Sequence, residues 1–120
     1  MKKSIVIVED EVNIAKAEKL ILENDFEVHL AHDGEEGLKK IKELKPTLVI
    51  LDIMLPRMNG FELCRKIRSD SRIKDTKVVM VTAKDQDKDE AEGMNLGAND
   101  YIMKPFEPAE LMHVVNQVLK

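Results

Sequence analysis

Apolar residues along this chain follow two rhythms, one of strands and one of helices. Ile5-Val6-Ile7-Val8 and Leu48-Val49-Ile50-Leu51 are unbroken runs, the pattern of strands covered on both faces. Lys77 to Thr82 is a third mostly apolar strand, Phe26 to Ala31 alternates like a strand with one wetter face, and Asp100 to Met103 is a short fifth. Between them the spacing becomes helical. Asn13 to Glu23 sets Ile14, Ala17 and Ile21 on one side and leaves Lys16, Glu18, Lys19 and Glu23 mostly elsewhere. Asp33 followed by Glu36 marks the start of a second helix, which turns Gly37, Leu38, Ile41 and Leu44 inward and which Pro46 closes. Asn59-Gly60 opens a third, with Phe61, Cys64 and Ile67 inward and Arg65, Lys66 and Arg68 exposed. Asp85 to Leu96 reads as a loosely held helix, crowded with acids, in which Gly93 costs about 1 kcal/mol relative to Ala. Gly97 suits its C-cap. Pro108 then starts a last helix with Leu111, Val114, Val115 and Val118 at i, i+3, i+4 and i+7.

Five strands alternating with five helices predict an α/β fold, a parallel sheet reached by right-handed crossovers with helices on both faces. The all-apolar first, third and fourth strands belong in the middle, the alternating second and the short fifth at the edges. That gives a doubly wound, flavodoxin-like sheet of order 2-1-3-4-5, with its switch point between strands one and three. Residues 1–120 are expected to form one domain, because a chain of 120 residues buries roughly 65% of its unfolded surface and leaves no room for a second.

Charge narrows the possible partners. A net charge of −4 lacks the basic footprint of a nucleic-acid binder, so direct contact with nucleic acid by this chain is not expected. The single cysteine, Cys64, cannot form an internal disulfide and falls on an apolar helix face, where it reads as core filler rather than a reactive thiol. No apolar run approaches the ~18 residues of a membrane span, and Met1-Lys2-Lys3 leads into no signal peptide. A soluble cytoplasmic protein with no membrane partner is the expectation.

The strand ends carry the chemistry. The run Leu48 to Leu51 stops in Asp52, and Ile5 to Val8 stops in Glu9-Asp10-Glu11. A carboxylate ending a buried strand needs cations or donors around it. The predicted strand order brings Glu9, Asp10 and Asp52 into one crevice, where their repulsion is relieved by a hard divalent cation; Mg²⁺ fits, since it takes one or two carboxylates, waters and a phosphoryl oxygen. Thr82 and Lys104, ending strands four and five, would add a hydroxyl and a positive charge suited to phosphate. A carboxylate nucleophile among such groups can accept a phosphoryl group as an aspartyl phosphate, and Asp52 is the candidate acceptor.

Glu9-Asp10, Asp52, Thr82-Ala83 and Lys104-Pro105-Phe106, with Leu55-Pro56 and Gly60, together resemble the receiver domain of two-component response regulators, a likeness spanning essentially the whole chain. The resemblance implies a phosphorylation-activated switch in which Asp52 accepts phosphate from a sensor histidine kinase or phosphotransfer protein. It implies Mg²⁺ held by Asp10, Asp52, the Met54 backbone carbonyl and, through water, Glu9. Lys104 would pair with the phosphoryl group, Thr82 and Tyr101 would form the conformational switch, and the Lys104–Pro105 bond would be cis. The face of the fourth helix, fifth strand and fifth helix would then control a downstream protein or effector domain, the domain itself being a monomer or a phosphorylation-dependent dimer and no turnover enzyme. Two features depart from the family pattern. Glu9 stands where many members have Asp, and Leu111 to Leu119 lacks the basic residue usual in the dimerising, DNA-binding subgroup.

Blander readings exist for single residues. Glu9 or Asp10 alone would be ordinary surface charge, Thr82 could satisfy backbone groups, and Tyr101 could be packing. His29, His32 and His113 have no metal-ligand spacing. The rival function is a Mg²⁺-dependent phosphohydrolase or phosphotransferase with an aspartyl-phosphate intermediate. Such enzymes resemble a D-x-D pattern after the first strand, which Glu9-Asp10-Glu11 does not supply, and this chain has no room for a cap domain. A nucleotide site is disfavoured too, because no G-x-G-x-x-G follows strand one.

Overall fold

The structure, a computed structural model, describes residues 2–83 and 92–120. Its five parallel strands lie in the order β2-β1-β3-β4-β5, as the strand patterns predict. They are β1 (Ser4–Val8), β2 (Glu27–Ala31), β3 (Leu48–Asp52), β4 (Lys77–Ala83) and β5 (Asp100–Lys104). The connecting helices are α1 (Val12–Leu22), α2 (Gly34–Leu44), α3 (Gly60–Ser69), α4 (helical at 92–95) and α5 (Pro108–Val118). Of the expected Asp85 to Leu96 helix, residues 85–91 lie outside the described residues.

Alternation along the central strands divides the core in two. Val6, Val8, Val49, Leu51, Val78 and Met80 point to the side covered by α2 and α3. Ile5, Ile7, Leu48, Ile50, Val79 and Val81 point to the side covered by α1 and α5. Each fully buried side chain of this kind contributes roughly 1.5–3 kcal/mol of apolar burial, which is why the middle strands need no polar residue until their ends.

Local chemistry fixes the helix ends. Asp33 and Asn59 cap α2 and α3 by accepting from the Glu36 and Glu62 amides, at 2.8 and 2.9 Å. At the start of α5 a capping box joins Glu107 and Glu110, with Pro108 in the first turn. Gly97 follows α4 at φ +98°, where a Cβ would meet the Arg68 side chain at 3.0 Å.

Three helix faces differ from the sequence reading. In α1 the buried set is Ala15, Glu18 and Leu22, while Ile14 and Ile21 are half-buried and Ala17 is exposed. Rotating the helix this way lets small Ala15 approach the sheet and brings Glu18 inward with it. Leu44, at the open end of α2, is exposed rather than inward. Arg68 is half-buried rather than exposed: its guanidinium donates to the carbonyls of Lys74, Thr76 and Gly97 and to Asn99 Oδ1, tying α3 to both flanks of β4.

Candidate functional site

Parallel register determines what meets at the carboxyl edge of the sheet. Val8 pairs with Leu51, so the next residues, Glu9 and Asp52, leave β1 and β3 at the same level. Asp52 pairs with Val81, which puts Thr82 one step further along β4, and Ala83 pairs with Lys104 at the end of β5. The chain after β3 turns back sharply. The Gly60 amide donates to the Ile53 carbonyl at 2.9 Å, and a Cβ on Gly60 would lie 2.6 Å from the Asp52 carbonyl oxygen. Only glycine lets α3 start so close to the acid.

Glu9, Asp10 and Asp52 each offer an oxygen within 4.8 Å of the others, Glu9 and Asp52 being buried and Asp10 exposed. Lys104 reaches into this group. Its ammonium donates to Asp52 Oδ2 at 2.6 Å and to Glu9 Oε1 at 2.9 Å, and the Lys104–Pro105 peptide is cis as expected. Backbone amides supply the remaining donors: Met54 N–H to Asp52 Oδ1 at 2.9 Å and Glu11 N–H to Glu9 Oε2 at 3.1 Å. Burial pushes the Glu9 carboxyl up to about 7 against the pull of Lys104 and the Glu11 amide, and nearby Asp52 adds to the rise. Burial alone would lower Lys104, but its hydrogen bonds to Asp52 and Glu9 prevail and hold it above its ordinary value.

The donor set suits a hard cation. Three carboxylates, two anchored in the sheet edge and one open to water, match the oxygen ligands and retained waters that Mg²⁺ favours. Met54 sits beside them, with its amide on Asp52 and the residue 74% exposed.

Thr82 is buried, and its hydroxyl donates a long 3.4 Å bond to the Ala83 carbonyl. With Tyr101, Met80 and Gly93 it lines a crevice too tight for a water. Glu9, Asp10, Asp52 and Lys104 thus meet at one edge, with Thr82 one step beyond the level of Asp52, while Tyr101 pairs with Met80 further back in the sheet and shares the crevice with Thr82.

Two polar placements carry no signal in the sequence. His32 Nδ1 lies 3.3 Å from the Glu9 carbonyl oxygen, a contact without a sequence signal because it crosses from the end of β2. Glu18, assigned to the wet side of α1, is buried, and its Oε2 has no hydrogen-bond partner among the described residues.

The family model for the response regulator receiver domain matches residues 5–116. The DNA-binding response regulator MtrA of Mycobacterium tuberculosis (strain H37Rv) is 40% identical over 121 residues, covering 100% of this chain and 52% of that protein. The alkaline phosphatase synthesis transcriptional regulatory protein PhoP of Bacillus subtilis is also 40% identical, covering 100% of this chain and 50% of that protein. The chain therefore spans about half the length of the curated relatives it matches. Among solved structures, the chemotaxis response regulator CheY4 of Vibrio cholerae superimposes with a TM-score of 0.92 at 29% identity, covering 98% of this chain and 99% of that one. These likenesses do not favour a phosphohydrolase. With five acid, hydroxyl and lysine side chains gathered at the edge of a 2-1-3-4-5 sheet, the chain belongs to the receiver domains of response regulators, a family of phosphorylation-activated signalling switches.

Proposed function

We propose that residues 1–120 act as a single receiver domain in which Asp52 is the phosphoacceptor. The observation that carries this reading is the meeting of Glu9, Asp10 and Asp52 with the Lys104 ammonium, groups from three strand ends far apart in sequence. Asp10, Asp52 and the Met54 carbonyl would hold Mg²⁺, with Glu9 acting through water; when bound, the ion neutralises the acids and the incoming phosphoryl oxygens.

The chain's own groups do the rest. An Asp52 carboxylate oxygen attacks the phosphorus of an activated donor, and the bond from phosphorus to the leaving group breaks with its electron pair departing on that group. Lys104 then exchanges an Asp52 oxygen for a phosphoryl oxygen, and the Thr82 hydroxyl turns from the Ala83 carbonyl to another. Tyr101 follows by rotating toward the space Thr82 leaves. The altered face of α4, β5 and α5 engages a downstream protein or effector domain rather than nucleic acid directly.

The donor in this reading is a sensor histidine kinase or phosphotransfer protein in the cytoplasm. The domain works as a monomer or as a phosphorylation-dependent dimer. Its only chemistry is gaining and losing its own phosphoryl group.

Labelling with a small acyl phosphate tests the reading. It predicts one phosphoryl group per chain in Mg²⁺, little in chelator, and no sustained turnover of simple phosphate esters. Equal labelling in chelator, or continuous ester hydrolysis, would contradict it.

A further inference from the structure

Glu18 is an oddity of this chain. It lies in the middle of α1, is only 2% exposed, and leaves Oε2 unpartnered among the described residues. Such an orphan carboxylate costs stability. Glu18 and Lys104 also line the same groove of about 460 Å³, whose other walls include the apolar groups of Ile14, Ile21 and Phe106. Burial pushes the Glu18 carboxyl up to about 7, the charges of Glu9 and Asp52 adding to the rise and that of Lys104 opposing it.

Lys104 has a difficulty that Glu18 can relieve. Its two partners, Glu9 Oε1 and Asp52 Oδ2, belong to the acids that a divalent cation would draw upon. Cation and ammonium compete there. An ammonium released from those oxygens needs another anion close by, since a half-buried charge without a partner is costly.

We propose that Glu18 is a positioning residue, the alternate anchor that receives the Lys104 ammonium when a divalent cation occupies the Glu9, Asp10 and Asp52 carboxylates. From there the flexible lysine stem swings back once a phosphoryl oxygen appears on Asp52. The inference rests on the metal and phosphoryl reading given under the proposed function. It adds a fourth carboxylate, one whose role is toward the lysine and not the metal.

A double-mutant cycle on Mg²⁺ affinity, measured by calorimetry at about pH 8 so that Glu18 is ionised, tests it. The four proteins are the parent chain, Glu18→Gln, Lys104→Met and the double variant. Glu18→Gln should weaken Mg²⁺ binding by about three- to tenfold where Lys104 is present and leave it nearly unchanged where Lys104 is methionine. Equal weakening in both backgrounds would overturn the proposal, because it would mean that Glu18 acts only as a distant negative charge. Failure of the parent chain to bind Mg²⁺ at all would overturn the metal reading along with it. A crystal structure of the Mg²⁺-loaded parent gives a readout that needs no variant to fold. It should place Lys104 Nζ within hydrogen-bonding distance of a Glu18 oxygen, and a lysine still on Asp52 beside an unpartnered Glu18 would refute the inference.

Discussion

The Lys104 ammonium lies 2.6 Å from Asp52 Oδ2, joining the ends of β5 and β3 across the sheet edge. The same nitrogen holds Glu9, so one cation balances two buried acids in this state. That pairing stabilises the pocket and occupies the carboxylate proposed as phosphoacceptor. It also makes the lysine the group that must move when other positive charge or a phosphoryl group arrives.

Replacing Lys104 by methionine should therefore destabilise the domain by about 2 kcal/mol without divalent cations, because Glu9 and Asp52 would face each other unneutralised. Mg²⁺ should restore much of that loss, since a ligand that binds the folded state stabilises it. Urea unfolding with and without Mg²⁺ measures both effects. A variant as stable as the parent in chelator would mean that the lysine bridge carries no weight.

Glu18 gives the folded state a pH dependence whose sign follows from its displacement. Burial raises its carboxyl from 4.5 to about 7, so the native state holds this proton more tightly than the unfolded chain does. Its contribution is most favourable below about pH 4.5 and is lost as pH rises toward about 7, a change of up to about 3 kcal/mol. Glu9 adds a slope of the same sign, which Glu18→Leu leaves in place. The difference between variant and parent stabilities should thus grow in favour of the variant across that window. Parallel curves would show that Glu18 does not titrate as a buried acid.

How much of this was legible beforehand depends on where the determining contacts lie. Strand order could be read because Ile5–Val8, Leu48–Leu51 and Val78–Val81 announce burial on both faces, and because polar groups follow such runs only at the sheet edge. The acids, Thr82 and Lys104 were visible for that reason. Glu18 was not: helical spacing favoured the larger Ile14 and Ile21, whereas packing chose Ala15 and Leu22 and carried Glu18 inward with them. Arg68 was misread similarly, since its partners at residues 74–76 and 97–99 are brought together only by the tertiary fold. Tyr101 is nominated through family resemblance alone; it shares a tight crevice with Thr82, and its switch role stays a proposal.

Phosphorylation should change hydrogen exchange chiefly between Thr82 and Met103. Moving a two-state equilibrium from 1:99 to 99:1 takes about 5.5 kcal/mol. New bonds from Thr82 and Lys104 to a phosphoryl group are worth roughly 1.5–3 kcal/mol each, which brings that figure within reach. Thr82→Ala should blunt the response while leaving Asp52 reactive. Changes confined to residues 52–60, or a full response in Thr82→Ala, would uncouple the pocket from this face.

Intact-mass measurement after exposure to a small acyl phosphate tests the central claim most directly. With Mg²⁺ the parent chain should gain the mass of one phosphoryl group, sensitive to hydroxylamine as an acyl phosphate is, and Asp52→Asn should gain none. The same mass gain in Asp52→Asn would contradict the account.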